Sequence, residues 1–518
     1  MGGGKRRRER MSGVDTAWLR MDRPSNLMQI VGVMRFVGQL DVERLKRLLE
    51  ERLLRYPRFR QLALLEADGA WWEDDPDFDL DGHVRQSILP APADVVSLQA
   101  FVARLCSEPL NPVRPRWDCH IVETKGGDSA LILRVHHAIA DGIALVRVFE
   151  ALTDAPGDVE QMRQAAERRA REASGVIGDS LFGAPANDSF NPDGRVPEAV
   201  DSDPWGKWAS LAESSIRMGG RVWGDSQKIL HDLLHDPDRL REMGGAAAAV
   251  LTEVARLALM GGDSATRLKG LPGTVKRVAW SEPLPLPQVK AVGKVLGCSV
   301  NDMLISSVAG ALRAYLLAYG DVAEDVDARN IRVLVPVNLS AASVRATHDT
   351  QLGNHFGLVA LDLPVGIDNP LARLYCTRQR MEALKHSPQA AVAYALLNVL
   401  GAAPGQVQEN VLDMLAGKAT AVVTNVPGPG SIRLLAGTPI AEQMFWVPQS
   451  GNIGLGISIL SYDGKVQFGL IADKRMVPDP QAVVAGFTQE FEKLLWLVLM
   501  EPWERLHDPQ AVEHALVS

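Results

Sequence analysis

The sequence predicts an α/β (α+β) protein in which two lobes, each with mixed sheets flanked by helices, are joined by a long helical linker. Strand-like apolar runs alternate with helical periodicity in the first third of the chain, and the same alternation returns beyond residue 275. A long segment of different composition separates the two parts. With 518 residues, 46% of them hydrophobic, the chain can build two hydrophobic cores.

The first lobe is predicted at residues 11–173. Its first strand is the extended apolar segment Met28–Val37, and Asp41 can then cap an amphipathic helix. The nearly continuous apolar run Ala130–Val135 is typical of a strand buried on both faces, and a helical pattern follows through Ala144–Leu152. The connection between this strand and this helix carries two adjacent histidines.

The linker and its connecting helices are predicted at residues 174–270. Residues 174–206 are rich in Gly, Pro, Asp and Ser and show hardly any periodicity, which is typical of an exposed linker. Two helical patterns follow, around Lys207–Leu234 and Pro237–Met260. The second is amphipathic, since charged residues interrupt its alanine-rich sequence.

The second lobe is predicted at residues 271–518 and repeats the alternation of strand and helix. The turn Asp463-Gly464 predicts a hairpin, because a type I′ turn needs positive φ angles. The predicted strands are Val275–Trp280, Ile331–Val337, Phe356–Leu363, Gly454–Tyr462 and Lys465–Ile471. The predicted helices are Pro287–Leu296, a longer one from near Ser299, those of residues 369–416, and Pro480–Met500.

Net charge and cysteine content exclude several classes of protein. The 55 basic and 63 acidic residues give a net charge of −8, so we predict no nucleic-acid partner. The four cysteines form no C-x-x-C pair, which argues against a zinc template and a disulfide framework. Scattered cysteines of this kind fit a reducing cytoplasm.

Two segments bear on membranes. Residues 1–10 carry five basic side chains and are predicted to form a disordered tail that can attract an anionic membrane surface. No apolar segment follows them, so they are not a signal peptide. The uncharged stretch Ser387–Gln408 is interrupted by prolines and glycines and is too short to span a bilayer. We expect a buried or interfacial helix there and no transmembrane helix.

The most specific local pattern is H-H-x-x-x-D-G, formed by His136, His137, Asp141 and Gly142. Composition alone gives an upper bound of roughly 0.002 chance matches in a chain of this length. Adjacent residues at a strand end point to opposite sides, so the two imidazoles are not expected to share a metal ion. One can face a cavity while the other packs inward.

The residue types suit general-base chemistry but leave an inert role open. A neutral imidazole, with an ordinary pKa near ~6.5, can accept a proton at neutral pH. Asp141 can fix the local turn by pairing with an arginine, or can orient an imidazole, and Gly142 permits a backbone conformation that a side chain would forbid. The alternative is a pair of buried, satisfied histidines at the strand end.

The segment HHAIADG resembles the HHxxxDG motif of the acyl-CoA-dependent acyltransferases, a superfamily that includes chloramphenicol acetyltransferase, carnitine acyltransferases and peptide-synthetase condensation domains. Further segments, spread over nearly the whole chain, resemble the bacterial wax ester synthase/diacylglycerol acyltransferase family. These segments are Val14–Leu19, Pro57–Arg60, Asp77–Val84, Pro109–Asp118, Val300–Asp302, Val335–Asn338, Gly353–Gly357 and Thr424–Pro429.

The resemblance implies two chloramphenicol acetyltransferase-like lobes with a tunnel between them. His137 would be the general base that faces the tunnel, while His136 and Asp141 would shape the site and Asp141 would point away from the substrate. Asn301 and Asp302 match an Asn-Asp pair at the start of a helix. They are candidates for an oxyanion or tunnel site, with helix capping as the alternative.

The resemblance further implies transfer of an acyl group from acyl-CoA, as substrate, to diacylglycerol or a long-chain fatty alcohol, giving triacylglycerol or wax ester. It implies no cofactor, no metal, and a cytoplasmic protein associated peripherally with the inner membrane or lipid droplets. Two alternatives stay open. One is transfer to another hydroxyl or an amine, as in condensation-type relatives, and the other is a catalytically silent lipid-binding protein.

Other patterns carry less weight. His231 and His235 stand four residues apart, a spacing that can bind zinc, but no third ligand is evident. The glycine-rich segments lack the strand–GxGxxG–helix context of a dinucleotide site. No G-x-S-x-G sequence is present, which argues against a serine hydrolase of that type.

Overall fold

The structure is a computed structural model. It describes residues 7–67, 69–157, 260–338, 356–385, 416–503 and 505–509, together with short pieces between residues 352 and 414. Nearly all of the predicted linker, including its two helices and the pair His231 and His235, lies outside the described residues. Most of the uncharged stretch Ser387–Gln408 lies outside them as well.

The described elements follow the alternation of strand and helix that the sequence predicts. The helices are α1 (Gly13–Met21), α2 (Val42–Arg52), α3 (Val95–Ser107), α4 (Gly142–Leu152), α5 (Leu286–Leu296), α6 (Val300–Ala318), α7 (Ala323–Asp327), α8 (Pro370–Lys385) and α9 (Pro480–Met500). The strands are β1 (Arg8–Arg10), β2 (Gln29–Phe36), β3 (Gln61–Glu66), β4 (Gly69–Asp74), β5 (Val84–Ser87), β6 (Trp117–Glu123), β7 (Ser129–His136), β8 (Lys276–Trp280), β9 (Leu284–Pro285), β10 (Ile331–Asn338), β11 (Phe356–Leu363), β12 (Ala421–Pro427), β13 (Leu434–Leu435), β14 (Thr438–Trp446), β15 (Leu455–Tyr462) and β16 (Lys465–Asp473).

Two mixed sheets form the centres of the two lobes, which confirms the predicted fold class. The first-lobe sheet has the strand order β13-β14-β2-β7-β6-β5, with β5 parallel to β6 and the other pairs antiparallel. The second-lobe sheet has the order β11-β10-β12-β15-β16-β8, and β9 pairs with β16. Strand β12 runs parallel to both of its neighbours. A small sheet, β1-β4-β3, covers the first lobe.

Local signals in the sequence set several of these boundaries. Asp41 accepts the Arg44 N–H and caps α2, as predicted. Asp463 and Gly464 have φ angles of 47° and 68°, so the turn between β15 and β16 is the predicted type I′ turn. The last helix, α9, has the predicted bounds.

The division of the chain into lobes differs from the prediction at β13 and β14. These strands fall within residues 271–518, predicted as one lobe, yet β14 pairs antiparallel with β2 in the first-lobe sheet. The buried side chains of Met444 and Trp446 fill that lobe's core. Strand β14 thus pairs with an edge of β2 that would otherwise expose unpaired backbone N–H and C=O groups.

The predicted disordered tail is wrong for Arg8–Arg10, which form β1 on the edge of the small sheet. The guanidinium of Arg8 lies over the Trp71 ring at 4.5 Å and forms an ion pair with Glu66. These contacts order the basic segment by pairing its charges with the protein itself.

The second core lies between the larger sheet and helices α5, α6, α8 and α9. Helix α6 is buried along most of its length and packs against α9. Helix α9 in turn packs on the sheet, where its Phe487 stacks on Phe468 of β16 with ring centroids 4.2 Å apart. No single helix in the described part of the chain is long and apolar enough to cross a membrane. The bent pair α5 and α6 meets the length and composition criteria together.

Candidate active site

A cavity of about 780 Å³ lies where the two lobes meet. Strands and helices of both sheets form its walls, and most of the side chains that line it are apolar. The first half of the chain contributes Trp18, His137, Asp141, Gly142 and Val146 to the wall. Residues from the second half of the chain include Asn301, Leu304, Val335, Leu358, Thr424, Asn425 and Phe445.

His137 is the residue directly after β7, and its side chain lines this cavity. Its backbone N–H donates to the Met28 carbonyl at 2.7 Å, which fixes the chain as it leaves the strand. Its ring stacks on the Trp18 indole of α1, with centroids 4.2 Å apart and planes 20° from parallel. Only 4% of the residue is exposed. The stacking restricts the ring to one plane along the wall of the cavity.

A chain of buried polar groups holds the ring of His137 from behind. Asn354, from the second half of the chain, places its Oδ1 3.0 Å from His137 Nδ1. Its Nδ2 donates to Asp15 Oδ1 at 2.8 Å and to the His137 carbonyl at 3.0 Å. Asp15, Asn354 and His137 are all buried, so each contact acts in a medium of low dielectric.

These contacts determine which nitrogen of His137 carries the proton. A carboxylate and a carbonyl can only accept, so the Asn354 amide must turn its NH₂ toward them and its oxygen toward His137 Nδ1. Nδ1 is therefore the donor, and the lone pair of the neutral imidazole lies on Nε2. Burial lowers the pKa of His137 from 6.5 to about 4, although the Asp141 charge opposes that shift. The ring is thus neutral at pH 7.

His136 points to the other side of the strand, as the sequence predicts, and is enclosed by protein. Its Nδ1 accepts the Ala138 N–H at 3.1 Å, and its Nε2 lies 3.5 Å from Asp22 Oδ2. Asp22 also accepts from Arg116 at 3.2 Å. Burial lowers the pKa of His136, and Asp22 opposes that shift. His136 is absent from the lining of the cavity, so its contacts are those of a packing residue.

Asp141 caps helix α4, because its Oδ1 accepts the Ala144 N–H at 2.7 Å. Helix α4 begins at the cavity wall, and Asp141 is part of that wall, whereas the resemblance implied that it points away from the substrate. The caps and turns of this connection hold His137 between a strand end and a helix start.

The interpretation that Gly142 is needed for an unusual backbone conformation is wrong. Gly142 is the first residue of α4 and has no positive φ angle, and a Cβ atom built on it would meet no other atom within 4 Å. Gly142 instead borders open space. Together with Val146 and Phe445 it lines both the main cavity and a neighbouring one of about 100 Å³.

Asn301 and Asp302, which the sequence leaves undecided, have different environments. Asp302 forms a capping box with Ser299 at the start of α6, with contacts of 2.9 and 3.1 Å, and is not part of the cavity wall. Asn301 lies in the wall, where its Oδ1 accepts from Asn425 Nδ2 at 2.7 Å. The NH₂ group of Asn301 is then the donor that this pair can offer to a ligand.

Sequence reasoning missed the roles of Asp15, Trp18, Asn354 and Asn425. All four lie in segments that resemble family signatures, but no spacing along the chain relates them to His137. The contact between Asn354 and His137 joins residues 217 positions apart. Within the described residues, no group of three His, Cys, Asp or Glu side chains is arranged to hold a metal ion.

A cavity between two lobes, with the second histidine of an H-H-x-x-x-D-G motif in its wall, defines a two-lobed acyltransferase. The family model of the wax ester synthase/diacylglycerol acyltransferase catalytic domain matches residues 11–304, which is more than half of the chain. The C-terminal domain model of the same family matches residues 352–495. The chain belongs to the wax ester synthase/diacylglycerol acyltransferase family.

Individual relatives agree with this assignment. A probable diacylglycerol O-acyltransferase of Mycobacterium tuberculosis is 27% identical over 440 residues, covering 82% of this chain and 83% of its own. The O-acyltransferase WSD of Acinetobacter baylyi is 23% identical, with the same coverage.

Solved structures share the fold. The wax ester synthase/diacylglycerol acyltransferase of Marinobacter aquaeolei covers 93% of this chain and 97% of its own, with a TM-score of 0.60 and 20% identity. The first condensation domain of the calcium-dependent antibiotic synthetase covers 97% of each chain, with a TM-score of 0.51 and 14% identity.

Proposed function

We propose that this acyltransferase moves a fatty acyl group from acyl-CoA to the hydroxyl of a lipid acceptor, diacylglycerol or a long-chain fatty alcohol. The products are triacylglycerol or wax ester. The observation that carries the proposal is the position of neutral His137 in the wall of a largely apolar cavity, with its Nε2 lone pair fixed by the Asn354–Asp15 chain. The reaction needs acyl-CoA as a substrate and no further cofactor.

In the proposed step, His137 acts as general base toward the acceptor. Nε2 takes the hydroxyl proton while the acceptor oxygen attacks the thioester carbonyl carbon. The ester C–O bond forms, the C–S bond breaks, and the proton on Nε2 passes to the CoA sulfur. Because the ordinary pKa of His137 is lowered to about 4, its imidazolium gives the proton up readily.

Asn301 is the proposed donor to the carbonyl oxygen. That oxygen gains negative charge as the tetrahedral intermediate forms, and a neutral amide N–H fixed beforehand can stabilise it. Asn425 supports the assignment because its hydrogen bond to Asn301 Oδ1 orients the NH₂ of Asn301. We expect Asn301→Ala to lower kcat by roughly 10²-fold, the usual cost of one such donor. Asn301→Asp keeps nearly the same shape but replaces the donating NH₂ with a carboxylate oxygen, so it should lower kcat at least as much.

The apolar lining favours acceptors with long hydrocarbon chains over small polar ones. Apolar contacts discriminate weakly, by ~1–3 kcal/mol per methylene, so one cavity can serve two classes of lipid alcohol. The acceptors are insoluble in water, so we place the enzyme at the cytoplasmic side of the inner membrane or on lipid droplets, as a peripheral protein.

The test is an acceptor panel with labelled palmitoyl-CoA: dipalmitoylglycerol, hexadecanol, a small polar alcohol and an amine, with products separated by lipid class. We expect triacylglycerol and wax ester, and we expect hexadecanol to inhibit triacylglycerol formation in a mixed assay. Acylation of only the polar alcohol or the amine would favour the condensation-type alternative. Binding of palmitoyl-CoA without any transfer would indicate a silent lipid-binding protein.

A further inference from the structure

The outward face of α9 changes character along its length. Its first turns expose polar or small side chains at Gln481, Ala485 and Gln489. Its last two turns expose large apolar ones, and one more follows after the helix ends. Trp496, Leu499, Met500 and Trp503 are 56%, 65%, 63% and 58% exposed. The spacing of Trp496, Leu499 and Met500, at i, i+3 and i+4, puts these three on one side of the helix. We call these four residues the α9 patch.

The protein holds the α9 patch in place although solvent reaches it. The Trp503 indole N–H donates to the Val498 carbonyl at 3.2 Å, which closes the end of the helix. Leu506, three residues later, is fully buried, and its carbonyl accepts the Tyr375 hydroxyl at 2.9 Å. The segment after α9 is therefore packed on α8, and the two indoles are displayed on a fixed surface.

The α9 patch lies at the end of the molecule where α6 begins. Two contacts show that helices α6 and α9 pack antiparallel. The Tyr319 hydroxyl, at the end of α6, donates to Asp479, at the start of α9, at 3.3 Å, and Gly486 of α9 faces Ala311 of α6. The last turns of α9 therefore lie near the first turns of α6. Asn301, in that first turn, lines the cavity.

We propose that the α9 patch docks the enzyme on a lipid surface, with the cavity end of α6 turned toward that surface. The proposal rests on the proposed function, in which the acceptor and the product are lipids that dissolve in a bilayer or droplet. Tryptophan is the side chain most characteristic of membrane interfaces, and leucine and methionine between two indoles supply apolar area to bury.

A second copy of the chain is a poorer occupant of the same surface. Four half-exposed side chains offer on the order of 500 Å², the size of a single large surface patch. A stable protein interface needs about 800 Å² from each partner. A lipid surface has no such threshold, because it deforms around whatever apolar area is offered.

Docking of this kind is driven by apolar burial, so it should be insensitive to salt. Attraction of the basic residues near the N-terminus to anionic lipid would be screened within ~10 Å at 0.1 M salt. Neutral vesicles therefore separate the two contributions.

The experiment is flotation of the full chain with vesicles of dioleoylphosphatidylcholine containing dioleoylglycerol, at low and at high salt. The test variant is Trp496→Gln/Leu499→Gln, since glutamine is a good helix former and both positions face outward. The matched control is Ile88→Gln/Val96→Gln, which removes similar exposed apolar area from the first lobe, at positions 92% and 71% exposed. Size-exclusion chromatography and thermal unfolding accompany each variant.

We expect the test variant to lose vesicle binding by about tenfold or more at both salt concentrations, while the control variant binds like the wild type. Turnover on detergent-dispersed substrates should not change in either variant. Wild-type-like binding by the test variant, or wild-type binding that disappears at high salt, would overturn the proposal. So would a wild-type dimer that the test variant converts to a monomer. Patch-dependent binding by a protein that acylates no lipid acceptor would leave the docking surface standing and remove the acceptor assignment.

Discussion

His136 and His137 are adjacent in the chain, equally buried, and opposite in their surroundings. His136 faces Asp22 and the Ala138 N–H, inside a pocket closed by protein. His137 has one nitrogen against Asn354 and lies in the wall of a cavity. Burial lowers the pKa of both rings, so low pKa alone does not distinguish a base from a packing residue. The distinction lies in the cavity, which His137 lines and His136 does not.

The largest effect that separates the two histidines is expected in turnover. We expect His137→Ala to lower kcat by about 10³-fold, because general-base catalysis contributes ~10²–10⁴-fold. His136→Ala should mainly reduce stability, since it opens a cavity and leaves the buried Ala138 N–H without its acceptor. Single-turnover assays and denaturant unfolding of both variants check this. Equal residual turnover in two folded variants would remove the special role of His137.

An intermediate effect is expected from the groups behind the His137 ring. Asn354→Ala removes the acceptor for His137 Nδ1 and the donor to Asp15, so the ring loses its preferred tautomer. Loss of a buried partner costs ~1–3 kcal/mol, which corresponds to a ~5–150-fold lower kcat. KM should change little, because Asn354 is not part of the cavity wall. Asp15→Asn, which keeps the shape, should lose less activity than Asn354→Ala. A rise in KM with unchanged kcat would place Asn354 in substrate binding instead.

A smaller effect concerns stability and pH. The pKa of His137 is lowered from 6.5 to about 4 in the folded protein, so the unfolded chain binds a proton in this pH range that the folded one excludes. The free energy of unfolding should therefore fall as the pH drops from 6.5 toward 4, by at most ~1.4 kcal/mol per pH unit from this group. His136 and His83, whose pKa values burial also lowers from 6.5, add a fall of the same sign, so the contribution of His137 has to be separated from theirs.

Urea unfolding at several pH values, for the wild type and for His137→Asn, isolates this contribution. The variant should show a shallower dependence on pH than the wild type between 6.5 and 4. Parallel curves for the two proteins would mean that His137 takes up a proton as easily in the folded state as in the unfolded one.

The smallest effect is expected at Gly142. A methyl group there meets no atom within 4 Å, and the residue is the first of α4, so Gly142→Ala should keep the fold and raise stability by ~0.4–1 kcal/mol. Activity should fall only a few-fold, through narrowing of the space that Gly142 shares with Val146 and Phe445. Thermal unfolding with the standard assay measures both. Marked destabilisation would restore the interpretation that this glycine is needed for its backbone.

The parts of the fold that depend on neighbouring residues could be predicted from the sequence. Helix α2 begins after its Asp41 cap, the β15–β16 hairpin turns at Asp463-Gly464, and α9 has the expected ends. The place of β14 could not be predicted, because apolar alternation does not say which edge a strand joins. Its partner, β2, lies some 400 residues earlier in the chain.

The candidate site also has a part that neighbouring residues predict and a part that depends on residues far apart in the chain. The motif identified His137 as a candidate, and the family resemblance implied its role as general base. Both inferences need only the seven consecutive residues 136–142. Asp15, Trp18 and Asn354 come together only when two lobes and an N-terminal helix close on one another. The sequence leaves the role of Asp302 open, because a capping box and an oxyanion site can begin with the same local sequence. Only the position of its carboxylate against Ser299 separates them.

The central claim is that Asp15 and Asn354 hold the His137 ring with its proton on Nδ1 and its lone pair on Nε2. Long-range ¹H–¹⁵N correlation of ¹⁵N-histidine-labelled protein at pH 7 observes this directly, with the His137 signals assigned from their absence in His137→Asn. We expect a protonated Nδ1 and an unprotonated Nε2 in the wild type, and a mixture of tautomers in Asn354→Ala. A wild-type His137 with its proton on Nε2, or with both nitrogens protonated, would contradict the account.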